Sequence, residues 1–365
     1  MRIYIDIDNT ICHTNGMEYD SAEPLINNIH KVNNLYDKGY NITMWTARGS
    51  LSNINFFEIT YKQLIKWNVK FHELRMGKPA FDLLIDDKVL NSLWDWNNNS
   101  IENALNNKVI QKFIIIIQAR NNSTRCPNKV SKIFFENNTI LDIIINRLKN
   151  NKFNIPVCIA TTENEKDDEI YNKYINKDNL LCFRGNENNV LDRFIKCTEY
   201  YKKEFIIRIC SDNPFISCKY LESLVETYIN NRQSDYDYIS YSLDGITPSI
   251  KTHIGIFSEL VSLKALKKAF SETSESIYLE HVTNYIHSNI NKFNILLLKK
   301  DFNISFINNI RLTLDTKEDF DYLKNLYNEL NIKNNDIHFY KIIIFLYEHK
   351  DILDLMIKSI NKNIK

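Results

Sequence analysis

Two aspartates stand one residue apart where the first apolar run of the chain ends. Asp6 and Asp8, in Asp6-Ile7-Asp8-Asn9-Thr10, close a run at 3–7 that predicts a β-strand. Because side chains alternate along an extended chain, both carboxylates point the same way at the carboxyl end of the strand, where open α/β sheets hold ligands. One carboxylate can attack phosphorus while the other protonates the leaving oxygen and then activates water. The pair predicts phosphoryl transfer, with Mg²⁺ as the natural cation beside oxygen ligands.

Further polar side chains follow the next predicted strands. Thr46 comes directly after a strand at 41–45 and can hydrogen-bond a phosphate oxygen. Lys78 can hold the charges of the nucleophile and the phosphate together. Asp86 and Asp87 follow a predicted strand at 82–85 and can complete a metal shell.

In this order the four motifs resemble those of the haloacid dehalogenase (HAD) superfamily of phosphatases, across about residues 1–90. The resemblance implies that Asp6 is the nucleophile and Asp8 the acid/base. It makes Thr46 and Lys78 phosphate ligands, with Lys78 also catalytic. It gives Asp6, Asp8 and Asp86 as the metal ligands, with Asp87 in the second shell of the metal. Only 35 residues separate Thr10 from Thr46, and 7 separate Lys78 from Asp86, which leaves no room for a cap domain. We therefore expect an open site.

A second group of chemically active residues lies in the loop 118–129, Gln-Ala-Arg-Asn-Asn-Ser-Thr-Arg-Cys-Pro-Asn-Lys. Three cations and two hydroxyls after a predicted strand suit a phosphate cradle built without glycine. By composition alone, a basic surface loop with no ligand explains these residues equally well. The loop resembles the Gln-Ala-Arg-x-x-Ser-x-Arg-Leu-Pro-x-Lys signature of cytidylyltransferases of the spore-coat polysaccharide type, which are related to the synthetases of CMP-Kdo and CMP-sialic acid. Later motifs at 183–185, 190–194, 208–214, 280–283 and 311–319 match in order, so that the resemblance covers about residues 112–350.

This resemblance implies attack of a hydroxyl or phosphate oxygen on the α-phosphorus of CTP, with pyrophosphate leaving. It assigns Arg120, Arg125 and Lys129 to the triphosphate, with Lys129 also catalytic. It assigns Asp212 and Asp315 to Mg²⁺. Arg193 is a further candidate for contact with substrate or phosphate.

The loop departs at three positions from what the resembling family commonly shows. Asn122 and Asn128 stand where relatives commonly carry Gly, and Cys126 stands where they carry Leu. Left-handed backbone at both asparagines would mark asparagine as the replacement for glycine. Cys126 is interpreted as an apolar substitute for leucine.

Short apolar runs alternate with amphipathic stretches, which predicts an α/β fold throughout. The first half has helices at 24–37 and 56–67. The second has a helix at 140–148, packing helices from 339 onward, and strands at 113–118, 156–160, 180–183, 205–210, 236–240, 253–257 and 295–298. We expect a small HAD-like Rossmannoid domain at 1–92, a linker at 93–110, and a nucleotide-diphospho-sugar transferase-like (GT-A-type) α/β domain at 111–365.

Composition excludes several function classes. The 365 residues include only 7 glycines, none in a Gly-x-Gly pair, so neither a dinucleotide fingerprint nor a Walker A loop can be written. A net charge of +1 argues against nucleic acid, and the apolar runs are too short for a membrane span. Seven scattered cysteines and the lack of a visible leader favour a cytoplasmic protein with reduced thiols.

The combined interpretation is a bifunctional enzyme of surface-glycan precursor synthesis. The HAD half would remove phosphate from a phosphorylated sugar or sugar acid, and the second half, expected to form a homodimer, would couple the product to CMP. The alternative is a phosphate acceptor and a CDP-linked product, with the HAD half acting on another phosphate ester or serving as a non-catalytic scaffold. The charge disfavours a nucleic-acid 3′-phosphatase, and Ser211-Asp212-Asn213 in place of Asp-x-Asp disfavours a metal-dependent glycosyltransferase.

Overall fold

The computed structural model describes residues 1–81, 106–122, 125–330 and 339–362, which belong to two units, Met1–Leu105 and Asn106–Lys365. The predicted strand at 82–85, the aspartates at 86 and 87 and most of the predicted linker at 93–110 lie outside the described residues. In the described ranges, no helix has both the length and the apolar character needed to cross a membrane.

The first unit contains a parallel sheet in the order β1–β4–β5, with β1 at Arg2–Ile5, β4 at Asn41–Trp45 and β5 at Glu73–Arg75. A short antiparallel pair, β2 (Cys12–His13) and β3 (Glu23–Pro24), precedes two helices, α1 (Ile26–Asp37) and α2 (Phe57–Lys66). Both predicted helices and the strand at 41–45 are confirmed. The first strand is shorter than predicted, so Asp6 and Asp8 lie in the loop that follows it.

The core of the first unit explains how this sheet is held. The buried apolar face of α1, Ile29, Val32 and Leu35, repeats at helical spacing and packs with Ile42 and Met44 of β4. Burying each such side chain stabilises the fold by about 1.5–3 kcal/mol. The helix ends where the chain turns through a glycine with φ +81° at position 39.

The second unit contains a seven-stranded sheet in the order β10–β9–β6–β11–β13–β12–β14. The strands are β6 (Phe113–Gln118), β9 (Val157–Thr162), β10 (Leu180–Gly185), β11 (Phe205–Cys210), β12 (Tyr238–Ser242), β13 (Glu259–Ser262) and β14 (Ile295–Lys299), and a short pair, β7 (Ile133–Phe135) and β8 (Asn138–Thr139), lies apart. Strand β13 is antiparallel to both of its neighbours, and the other neighbouring strands are parallel. The predicted α/β class is confirmed for this unit, and its sheet is mostly parallel.

Helices cover both faces of the larger sheet. They are α3 (Ile140–Leu148), α4 (Asp168–Tyr174), α5 (Val190–Tyr200), α6 (Cys218–Asn230), α7 (Leu263–Glu272), α8 (Ser276–Glu280), α9 (Asn284–Ser288), α10 (Lys317–Glu329), α11 (Phe339–Glu348) and α12 (Lys350–Lys362). Alternate residues of β6 enter different cores, with Ile115 and Ile117 in one and Ile114 and Ile116 in the other. The all-apolar sequence of β6 reflects this burial on both sides.

The predicted strand at 253–257 is wrong. Residues 254–257 are all buried, as in a strand covered on both faces, yet they form a loop, and the strand begins at Glu259. Gly255 has φ +60°, and a Cβ there would lie 2.8 Å from the carbonyl oxygen of Leu312. The backbone N–H of Leu312 donates to the carbonyl of His253 at 2.8 Å. The segment is therefore tied to the loop before α10 rather than to the sheet.

Candidate functional sites

The first candidate site lies at the carboxyl ends of β1, β4 and β5. Ile5 pairs with Met44 in register, so the loops that follow these two strands leave from the same edge. The backbone N–H of Lys78 donates to the carbonyl of Thr46 at 3.0 Å, which brings in the third loop. The Nζ of Lys78 lies 3.0 Å from Oδ2 of Asp6. Burial raises the pKa of Asp6, and the charge of Lys78 opposes that rise.

The second aspartate of this site is held by a buried arginine. Arg48 donates from Nε to both oxygens of Asp8 at 3.0 Å and from Nη2 to Oδ1 at 2.7 Å. Its Nη1 donates to Thr60 Oγ1 at 3.2 Å and to Gln63 Oε1 at 2.7 Å. The guanidinium is thus satisfied on both sides and fixes the direction of the Asp8 carboxylate. Sequence reasoning gave Arg48 no role, although it stands two residues after Thr46 in the same loop.

Thr46 is buried, and its hydroxyl faces the carboxylate rather than open space. It donates to Oδ2 of Asp8 at 3.3 Å and accepts from the backbone N–H of Arg48 at 3.1 Å. A phosphate bound here would have to share or replace the bond to Asp8.

The oxygen donors of the first site suit magnesium in kind. Asp6 and Asp8 supply hard carboxylate oxygens, the ligand type that Mg²⁺ prefers. Each is already matched by one cation, Lys78 or Arg48. Within the described residues, no three His, Cys, Asp or Glu side chains come close enough to share a metal ion.

The second candidate site begins at the loop after β6, whose shape is set by Asn121. Its backbone N–H donates to Asp167 Oδ1 at 2.6 Å, its Nδ2 donates to the carbonyl of Lys166 at 3.0 Å, and its Oδ1 accepts from Ser131 Oγ at 2.8 Å. The carbonyl of Asn121 accepts from the N–H of Asn128 at 3.2 Å and closes the loop.

The three departures from the family pattern have different outcomes. Asn128 has φ +56° and takes the left-handed turn that relatives give to glycine. Asn122 is absent from the described residues with positive φ, so the same explanation fails there. Cys126 is 2% exposed in the apolar core, which confirms its interpretation as a leucine substitute.

Lys129 lies between the two predicted metal-binding aspartates. Its Nζ is 3.8 Å from Oδ2 of Asp212 and 3.9 Å from Oδ1 of Asp315, and it donates to the carbonyl of Leu314 at 2.7 Å. Asp212 follows β11, and its carbonyl accepts from the N–H of Leu314 at 2.9 Å. The structure therefore brings together two acids that are about 100 residues apart in sequence.

The donor set of this second site also fits magnesium. The two carboxylates converge on one cation, the ammonium of Lys129. Mg²⁺ is commonly held by one or two carboxylates together with substrate phosphates and water. Two converging carboxylates next to the loop after β6, which is predicted to bind phosphate, would meet that description.

The arginines predicted to bind triphosphate occupy the rim. Arg125 is exposed, with Nη2 3.4 Å from Oδ1 of Asp315. Arg120 donates from Nη2 to Oε1 of Glu280 at 2.8 Å. Arg193 is 2% exposed, its Nε has no acceptor among the described residues, and burial together with the charge of Arg120 lowers its pKa to about 10.

A buried arginine also supports Asp315. The guanidinium of Arg311 donates to Oδ2 of Asp315 at 2.9 Å, and to Oδ1 and Oδ2 of Asp319 at 2.9 and 2.7 Å. Its Nη1 bonds to Nδ1 of His253. The hydroxyl of Ser359, on the last described helix, donates to Asp319 at 2.6 Å. The motif 311–319 predicts a role for Asp315 alone, and the contributions of Arg311 and Asp319 are seen only in the structure.

Comparison with known proteins concerns mainly the second unit. A protein-family model described as "Cytidylyltransferase" matches residues 114–352. An uncharacterized protein of Methanocaldococcus jannaschii is 35% identical over 254 residues, which cover 70% of this chain and 96% of that protein. The spore coat polysaccharide biosynthesis protein SpsF of Bacillus subtilis is 32% identical over 243 residues, covering 65% and 95%.

Two further similarities are shorter or structural. A 3-deoxy-manno-octulosonate cytidylyltransferase of Fusobacterium nucleatum is 32% identical over 123 residues, or 33% of this chain and 48% of that protein. The solved structure of a cytidylyltransferase from Leptospira borgpetersenii is 27% identical with a TM-score of 0.58, covering 66% of this chain and 96% of that one. The first unit lies outside the family match.

Proposed function

Because the chain belongs to the cytidylyltransferase family, we propose that its second unit transfers a cytidylyl group from CTP to a sugar and releases pyrophosphate. The observation that carries this proposal is the position of Lys129 between Asp212 and Asp315, beside the loop after β6. This arrangement offers cations to a triphosphate and carboxylates to a metal ion in one place.

The reaction requires little covalent chemistry from the protein. An acceptor oxygen attacks the α-phosphorus, the bond from that phosphorus to the bridging oxygen breaks, pyrophosphate leaves, and the acceptor proton passes to solvent. Negative charge grows on the bridging oxygen, where Lys129 can donate a hydrogen bond. Arg120 and Arg125 can exchange their present carboxylate partners, Glu280 and Asp315, for phosphate oxygens, since all four groups reach the surface.

Asp212 and Asp315 would hold the magnesium ion, which when bound would offset the charge of the triphosphate and polarise the α-phosphate. Arg311 holds the Asp315 carboxylate in a fixed orientation for that purpose. The names of two relatives, one in spore coat polysaccharide biosynthesis and one a 3-deoxy-manno-octulosonate cytidylyltransferase, support a CMP-sugar product used in surface polysaccharides.

The first unit is proposed to hydrolyse a phosphate monoester. The carboxylate of Asp6 attacks phosphorus, the ester bond to the leaving oxygen breaks, and that oxygen takes a proton from Asp8. Water, deprotonated by Asp8, then attacks the aspartyl-phosphate and releases inorganic phosphate. The contact between Lys78 and Asp6 supports this role, because the ammonium can bind both the nucleophile and the phosphate. Asp6 and Asp8 have the oxygen donors that a magnesium ion would need.

Two matched substitutions test the division of labour. Asp6→Asn should lower phosphate release by about 100-fold or more and spare pyrophosphate release from CTP, and Asp212→Asn should do the reverse. Asp20→Asn and Asp321→Asn remove exposed carboxylates from the same two units and serve as controls. The two-site proposal is wrong if either active-site change stops both reactions in folded protein. The mass of the nucleotide product distinguishes a CMP-sugar, with one phosphorus in the link, from a CDP-linked product, with two.

A further inference from the structure

An open cavity of about 520 Å³ lies beside the proposed phosphatase site. Arg48 and Gly77 both line it, so it is bounded by the loops after β4 and β5 that also carry Thr46 and Lys78. Ser50 joins the two loops, because its hydroxyl donates to the carbonyl of Lys78 at 2.7 Å. The cavity is thus walled by the two loops that carry the proposed phosphate ligands, although Thr46 and Lys78 do not themselves line it.

The cavity has both apolar and neutral polar walls. Phe56, Phe57 and Met76 offer apolar surface, and Ser50, Asn53 and Asn55 offer hydroxyl and amide groups. This mixture suits a carbon skeleton that carries hydroxyl groups, since the rings can cover the C–H faces while the amides hydrogen-bond the hydroxyls.

The loop that forms this wall is closely packed on itself. Gly49 has φ +84°, and a Cβ there would lie 2.1 Å from the carbonyl oxygen of Ile54, so only glycine fits. Asn55 accepts the backbone N–H of Phe57 at 2.9 Å and fixes the entry into α2. The wall is thus formed in advance of any ligand.

The described lining residues offer no spare positive charge for a second anionic group. Arg48 is the only charged side chain among them, and its guanidinium is already bound to Asp8, Thr60 and Gln63. A carboxylate that gives up part of its hydration against these walls would gain no cation from them, whereas a hydroxyl would gain amide or hydroxyl partners, so the lining favours a neutral group.

We propose that this cavity binds the organic part of the phosphate monoester, and that this part is an uncharged polyol such as a sugar or alditol rather than a sugar acid. The inference rests on the proposed phosphatase function of the first unit. It narrows the substrate class by charge, using residues that the phosphoryl-transfer chemistry does not employ.

The test compares glucitol 6-phosphate with 6-phosphogluconate, two open-chain esters that share the carbon number and the phosphate position and differ by a hydroxymethyl group or a carboxylate at C1. The whole chain should show a kcat/KM at least about tenfold higher for the ester without the carboxylate, because that carboxylate finds no free cation among the described lining residues. Met76→Lys places a cation in the cavity and should reduce this preference to about threefold or less. Leu51→Lys adds the same charge to an exposed position of the same loop and should leave the preference unchanged.

Equal kcat/KM for the two esters, or a Met76→Lys variant that behaves like Leu51→Lys, would overturn the inference. Phenyl phosphate separates this failure from failure of the proposed function. If Asp6→Asn abolishes phenyl phosphate hydrolysis while the two sugar esters are not distinguished, the phosphatase stands and the cavity assignment falls. If no ester shows hydrolysis that depends on Asp6, both are refuted.

Discussion

Replacing Asp319 by asparagine should destabilise the second unit strongly, because it removes one partner of a fully buried ion pair. Arg311 and Asp319 are both 0% exposed and share two hydrogen bonds, at 2.9 and 2.7 Å. Breaking a buried pair by removing one partner costs about 3–5 kcal/mol. Arg311 keeps Asp315 as a second anion, so we expect a loss near the lower limit, about 3 kcal/mol.

Ser359→Ala should weaken the same Arg311–Asp319 ion pair by a smaller amount. It removes one hydroxyl donor from Asp319, at 2.6 Å, and leaves both charges in place. A hydrogen bond to a charged group contributes about 1.5–3 kcal/mol, so we expect a loss of about 1.5 kcal/mol. The asparagine variant should therefore lose about twice as much stability as the alanine variant.

The effect should also depend on pH with a definite sign. Burial alone would raise the pKa of Asp319, but hydrogen bonds from Arg311 and Ser359 lower it well below its ordinary value. A carboxyl with a depressed pKa in the folded protein contributes stability above its unfolded pKa, about 3.9, and loses it as the pH falls. The difference between wild type and Asp319→Asn should thus be full at pH 7 and shrink below about pH 4.

The sequence supplies a convenient assay for one unit at a time. All four tryptophans, Trp45, Trp67, Trp94 and Trp96, belong to the first unit. In urea, tryptophan fluorescence therefore follows the first unit, while far-UV circular dichroism and tyrosine fluorescence also follow the second. The Asp319→Asn change should lower the urea midpoint seen by circular dichroism and tyrosine fluorescence and leave the tryptophan transition unchanged. A cost below about 1 kcal/mol, or a difference as large at pH 3 as at pH 7, would refute the argument.

Three further changes test other parts of the two sites. Lys129→Met should lower the kcat for pyrophosphate release about 100-fold or more, since a charge that stabilises the leaving group is lost. At Asn128, φ +56° should make Asn128→Gly tolerable and Asn128→Ala cost about 1–2 kcal/mol in urea unfolding followed by circular dichroism. Arg48→Met should destabilise the first unit by about 3 kcal/mol in the tryptophan transition, because Asp8 loses its partner.

Sequence patterns located the active loops well because such loops follow strands. The predicted strands at 113–118 and 205–210 are found as β6 and β11, and their pairing sets Gln118 opposite Cys210. The loops after both strands leave from one edge, and Lys129 lies there 3.8 Å from Asp212. Short apolar runs that end at polar residues predicted the two strands, whereas the roles of Lys129 and Asp212 came from the resemblance to cytidylyltransferases.

A similar short, mostly apolar run misled at 253–257, which forms a loop held by backbone hydrogen bonds from Leu312 and Ser217. A pattern of side chains reports which faces are buried, and it does not report which backbone groups pair. The antiparallel insertion of β13 between β11 and β12 was missed for the same reason, since strand order depends on partners far along the chain.

The arginines behind the carboxylates show a second limit of sequence reasoning. Arg48 reaches Asp8 across 40 residues, and Arg311 bonds two of the several acids that follow it in the sequence, Asp315 and Asp319. Both ion pairs use the planar guanidinium, which can donate to a carboxylate from two nitrogens while its remaining nitrogen donates to neutral acceptors. Lys129, by contrast, is a point charge that touches its acids at almost 4 Å and can turn toward a phosphate. Motif order predicts which groups meet substrate, whereas the arginines that orient these groups depend on tertiary packing, which only the structure supplies.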